Sequence, residues 1–152
     1  EDYGNSHSMA KAGCGPTAAA IIASGYNASI NPSTFRAKIV NLYGLGNHSS
    51  STCVGKAFNE LLPNVSTRVV TAFSENEIKQ CLTSGGQVWL VVQKCKYTSD
   101  AHCIALVDYN PQTDQVYVAH GTAKGKPYGW DSLSYIKQCF KSSGGVLYVG
   151  GN

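Results

Sequence analysis

Apolar residues are spaced in two ways along this chain, and the change of spacing divides it. Up to about residue 62 the period is helical. Ala18 to Ser24 is a run of good helix formers, Pro32 to Leu45 carries Phe35, Ile39 and Leu42 on one face, and Thr52 to Leu62 forms a third segment closed by Pro63. Ser66 to Thr71 reads as a strand, and Ser74 with Glu77 three positions on predicts a capping box opening a short helix that ends near Gly85-Gly86. Beyond this point strands dominate. The continuous apolar run Val88 to Val92 reads as a buried strand, and His102 opens a second apolar run. The turn Asn110-Pro111-Gln112-Thr113-Asp114 joins that run to Gln115–His120 as a hairpin. A helix from Asp131 to Phe140 and a strand from Gly145 to Val149 complete the order. The pattern predicts an α+β fold, an N-terminal helical half facing a C-terminal antiparallel sheet, with no internal repeat.

Composition narrows the class. A chain of 152 residues with 43% hydrophobic content reads as one domain, residues 1–152, with room for one good core. Charged residues make up 14%, against roughly 25% in an average soluble protein, and Ser, Thr, Asn and Gly are abundant. That profile points to an extracellular or cell-envelope setting. The net charge of +3, with no basic block, gives no ground for nucleic acid as a partner. No apolar run approaches the roughly 20 residues of a membrane span. The chain begins Glu1-Asp2 without an initiator Met, so it reads as a mature or excised piece, part of a larger parent protein, with any targeting segment removed.

The chemistry concentrates at Gly13-Cys14-Gly15-Pro16-Thr17-Ala18. The glycines let backbone approach a substrate closely, and Pro16 suits the first turn of a helix. Cys14 would lie at the positive end of the helix dipole, which favours the nucleophilic thiolate. The alternative is a structural cysteine beside a packed alanine-rich helix. His102 at a strand start supplies the base that such a thiol needs, and a polar residue at the end of the next strand could orient it. Taken alone, His102 would read as a satisfied strand-end histidine; the joint pattern is what points to catalysis.

Besides Cys14 there are Cys53, Cys81, Cys95, Cys103 and Cys139. With Cys14 kept free, at least one more is unpaired and at most two disulfides form. Cys95 and Cys103 flank a short connection between two expected strands, and a bridge between them would pin the start of the base-bearing strand. No pair has the close spacing of a structural zinc site. The sequons at Asn27, Asn47 and Asn64 are expected by chance in a chain this rich in Asn and Ser.

The chain resembles the papain-like cysteine peptidases, and within them the C39-like group of bacterial and phage proteins. The resemblance rests on Gly13 to Ala18 with the preceding Tyr3-Gly4, on the His102 strand, on Val116-Tyr117-Val118, and on Trp130-Asp131-Ser132-Leu133. It implies a papain-like fold, a nucleophile at Cys14, a base at His102 and a third residue, normally Asp or Asn, after the next strand. The matching position here is His120, which can accept a hydrogen bond from His102 but brings no negative charge. Asn110 and Asp108 are the fallback candidates. The family's upstream Gln, a donor to the oxyanion, is also missing; Asn5 is the best substitute, and otherwise a turn asparagine after Gly4.

The resemblance implies no cofactor and no metal, and a peptide substrate. Two substrates fit: the cross-linking peptide of bacterial cell wall, favoured by the Tyr3-Gly4 segment, the missing upstream Gln and low charge, and a leader peptide ending in double glycine. Loops Tyr43 to Gly46 and Lys126 to Trp130 could line an open groove. Trp130 could stack on a sugar, but core packing at the helix start is the preferred reading. Acyl transfer on the same scaffold is the rival chemistry. A degenerate papain-like module that binds peptides or wall glycans is the rival without chemistry.

Overall fold

The computed structural model describes the chain at residues 2–4, 7–8, 14–44, 50–119 and 129–151, with side chains from Gly15 onward except that of Ser99. Two short strands, β1 (Asp2–Gly4) and β2 (His7–Ser8), pair antiparallel with each other. Three helices follow: α1 (Cys14–Ser24), α2 (Pro32–Tyr43) and α3 (Ser51–Leu61). Their starts are written locally. The Asn31 side chain accepts from Thr34 N–H at 2.9 Å and Ser50 Oγ accepts from Cys53 N–H at 3.4 Å, each satisfying an otherwise orphaned donor.

Strand β3 (Thr67–Val70) leads to α4 (Glu75–Thr83), whose cap is half the expected box. Ser74 Oγ accepts from Glu77 N–H at 3.3 Å, but the Glu77 carboxylate pairs with Arg68 at 3.0 Å. Gly85, at φ 88°, ends the helix in a left-handed conformation that a side chain would strain. Then come β4 (Gln87–Cys95), β5 (Thr98–Asn110), β6 (Gln115–Ala119), β7 (Gly129–Ser132), α5 (Leu133–Cys139) and β8 (Val146–Val149).

Strands β3 to β8 form one antiparallel sheet in the order β3-β8-β4-β5-β6-β7. Residue alternation divides its side chains between two cores. One face sends Trp89, Val91, Cys103, Ala105, Leu147 and Val149 against α1, α2 and α3. The other sends Leu90, Val92, Ile104, Leu106, Val116 and Val118 against α4 and α5. The helices are therefore on both faces of the sheet, not all on one side as a simple helical half would have it. This is the α+β, papain-like arrangement that the sequence predicts.

Candidate active site

Helix α1 begins at Cys14 and presents Ala18, Ala19, Ala20, Ile22 and Ala23 to the interior, all buried. Four of these five are alanines, so the helix axis can approach the sheet closely. Two hydrogen bonds to β4 fix its direction. Trp89 Nε1 donates to the carbonyl oxygen of Gly15 at 3.2 Å in a buried setting, and beyond the other end Tyr26 Oη donates to Gln87 Oε1 at 2.6 Å. Since Gln87 precedes Trp89, the N-terminal end of α1 is directed toward the later residues of β4. Those residues pair with the beginning of β5: Val91 with Cys103, Val92 with His102, Gln93 with Ala101.

His102 is half-buried at this end of the sheet. Cys103, next to it, is buried in the same core as Ala18 and Ala19. Alternation gives His102 the parity of Ile104 and Leu106, the face opposite the one on which α1 lies. The Cys14 side chain, Asn5 and His120 lie outside the described residues, as does most of the loop from Lys126. Strand β6 runs to Ala119, opposite Ala105.

The fallback residues are excluded by distance. Asp108 and Asn110 are six and eight positions along β5 from His102, roughly 20 and 26 Å away at the rise of a strand. Both side chains instead bond to nearby backbone. Asp108 Oδ1 accepts from Tyr109 N–H at 2.8 Å, and Asn110 Oδ1 accepts from Gln112 N–H at 3.0 Å.

A polar cluster holds the turn that leads into β5. Lys96 Nζ pairs with Asp131 at 2.7 Å, Tyr97 Oη donates to the same carboxylate, and Lys96 N–H donates to Tyr135 Oη at 2.9 Å. Burial would raise the Asp131 pKa, but hydrogen bonds from Lys96, Tyr97 and the Ser132 N–H outweigh it and hold the carboxyl below its ordinary range. Tyr97 is pushed far up by burial and by that same carboxylate. These contacts tie the β4–β5 turn to β7 and α5, upstream of His102.

Three expectations change. Cys95 and Cys103 are not bridged, and they belong to opposite cores, so no disulfide can join them in this fold. Trp130 is 45% exposed, not core; it lies on edge strand β7 with its ring 5.4 Å from that of Tyr117, edge to face. The helix expected from Asp131 begins at Leu133, because Ser132 Oγ caps it by accepting from Tyr135 N–H at 3.1 Å. The positioning role of Trp89 went unforeseen; its signal was a tryptophan in an otherwise aliphatic strand, since a buried indole N–H needs an acceptor.

Among the described residues no group of three or more His, Cys, Asp or Glu is placed to hold a metal ion. A cavity of about 350 Å³ lined by Arg68, Glu77, Gln80, Cys81 and Tyr148 lies on β3, β8 and α4, away from His102.

Comparison with known proteins agrees with this fold. The structure is similar to that of a protein described as a C39-like peptidase from Bacillus anthracis, with a TM-score of 0.67 at 13% identity, over 93% of this chain and 90% of that one. It is also similar to the N-terminal peptidase C39 like domain of the toxin secretion ATP-binding protein from Vibrio parahaemolyticus, with a TM-score of 0.50 at 15% identity, over 91% and 98%. A search of curated proteins gave no match. The model of the Peptidase_C39 like family matches residues 3–146, nearly the whole length, and the chain belongs to that family.

Proposed function

We propose that this chain is a single peptidase domain in which Cys14 is the nucleophile and His102 the base. The observation that carries the reading is the aim of α1: the Trp89 to Gly15 hydrogen bond directs the helix start, and with it Cys14, toward the end of the sheet where His102 sits. A thiol at a helix N-terminus meets the partial positive charge of the unpaired N–H groups, and a nearby imidazole completes its activation.

The reaction then has two halves. His102 takes the proton of Cys14, the thiolate attacks the amide carbonyl carbon, and the tetrahedral oxyanion is held by the Cys14 N–H and the Asn5 amide. The imidazolium gives its proton to the leaving amine, and the C–N bond breaks to leave a thioester. Water, deprotonated by His102, attacks the thioester and returns the thiol. His120 orients His102 as a neutral acceptor, so it fixes the tautomer without supplying charge. No cofactor enters.

The substrate we favour is the peptide of bacterial cell wall, met outside the cell or in its envelope. The edge-to-face pair of Tyr117 and Trp130 lies beside Asp108, about 20 Å along the sheet from His102, so the preference rests on the low charge and the Tyr3-Gly4 segment. Incubating purified peptidoglycan fragments with the chain and with Cys14→Ala, then reading new amine and carboxyl termini by mass spectrometry, tests the reading. Cleavage by the wild type alone supports it, while cleavage of double-glycine leader peptides in place of wall fragments would move the substrate but keep the mechanism. Tight binding of fragments with no turnover by either form would make the chain a binding module.

A further inference from the structure

The five described cysteines are not equivalent. Cys103 and Cys81 are buried apart from each other, with Cys81 Sγ directed at the Gln87 carbonyl at 3.5 Å. Cys95 and Cys139 lie in the core that also holds Cys81, in the part of it lined by Tyr97 and Tyr135 between β4 and α5. The backbone brings them there by three contacts. Phe140, next to Cys139, forms a β-bridge with Val92, Lys141 N–H donates to the Val91 carbonyl at 2.9 Å, and Lys96 N–H, next to Cys95, donates to Tyr135 Oη at 2.9 Å. Within this frame Cys95 and Tyr135 are neighbours that act on the Cys139 thiol.

We propose that Cys95 and Cys139 are a redox-responsive pair that closes to a disulfide between the end of β4 and the end of α5 when the chain meets a small disulfide oxidant of the glutathione class. The half-buried Cys95 is the entry point and the buried Cys139 the resolving thiol. Cys95 thiolate attacks one sulfur of the oxidant, expelling one thiolate and leaving a mixed disulfide. Cys139, deprotonated, attacks the Cys95 sulfur and expels the second. Two protein thiols and one small disulfide become one protein disulfide and two small thiols.

The second step is the slower one. Burial, together with the Cys95 neighbour and the Asp131 charge, pushes the Cys139 thiol up to about 11, so closure accelerates as pH rises from neutral. The closed ring would contain β5, β6 and β7, and therefore His102 and the His120 segment. Oxidation would staple the base side of the site while leaving Cys14 outside the loop. The pair does not depend on the proposed peptidase activity.

The test uses the full chain, reduced and then incubated with glutathione disulfide at mildly alkaline pH, acid-trapped and peptide-mapped without reduction. The expected wild-type product joins Cys95 to Cys139, with a loss of about 2 Da for the two protons relative to the dithiol. Cys139→Ser should instead accumulate a glutathione adduct on Cys95. Thermal unfolding should shift upward by several degrees for the oxidised wild type and not for Cys95→Ser. A persistent adduct on Cys95 in the wild type, or linkage of either cysteine to Cys53, Cys81 or Cys103, would overturn the proposal.

Discussion

The two sides of the candidate site are held by different physics. The side of the proposed nucleophile is apolar: α1 lies on the sheet through alanines and Ile22, with one buried indole hydrogen bond fixing its start. The side of the proposed base is polar. Lys96, Tyr97, Asp131 and Tyr135 tie the β4–β5 turn to β7 and α5, and β5 carries His102 away from that anchor. Close packing tolerates little change in volume and is indifferent to pH, whereas a charged network tolerates changes of shape but follows titration. Cys14 and His102 should therefore be displaced by different kinds of perturbation.

The largest effects fall on the reacting groups themselves. Cys14→Ala should abolish turnover, and His102→Ala should lower kcat/KM by about 10²–10⁴-fold, measured on the same peptide substrate under first-order conditions. Next come the two supports. Ala19→Leu forces extra volume between α1 and the sheet and should cost about 1–3 kcal/mol by denaturant titration, with activity falling in parallel at every pH. Trp89→Phe keeps an aromatic ring but leaves the Gly15 carbonyl without its donor, at about 1–3 kcal/mol, and should slow Cys14 alkylation more than it alters the His102 side.

Asp131→Asn breaks the other support and has a pH signature. The folded-state pKa of Asp131 is depressed below its unfolded value, so its contribution is complete above the ordinary carboxylate pKa and is lost as pH falls through the lower folded value. Wild type should exceed the variant by about 1.5–3 kcal/mol at neutral pH, and the two stability curves should converge in acid. Equal losses at all pH values would mean that the cluster acts by packing alone. The smallest effect belongs to Tyr26→Phe, whose hydrogen bond to Gln87 lies at a partly exposed helix end and should be worth about 0.5–1.5 kcal/mol by the same denaturant titration.

Much of this was legible in the chain because it is encoded locally. The proline at the start of α2, Ser74 before α4, the glycines after it and the alternation through β6 place those elements within two or three residues, whereas β5 begins at Thr98, four residues before the His102 expected to open it. What local pattern does not encode was missed. Strand β7 is four residues with a glycine at its head, and it is a strand only because β6 offers a free edge. The β1–β2 pair is shorter still. The Cys95–Cys103 bridge failed because nearness in sequence does not put two side chains on one face of a sheet. At the candidate site, the chain offers Cys14 and His102 as the proposed nucleophile and base, but the work of Trp89 and Asp131 depends on which strands become neighbours.

The central claim, that Cys14 is a thiolate made reactive by a helix start and by His102, is tested most directly by peptide-mapped iodoacetamide labelling from about pH 4 to about pH 9, on the wild type and on His102→Ala. The account predicts that Cys14 outpaces the five other cysteines, is already fast at about pH 6, and slows sharply when His102 is removed. Labelling of Cys14 with the profile of an ordinary free thiol, unchanged in His102→Ala, would contradict it.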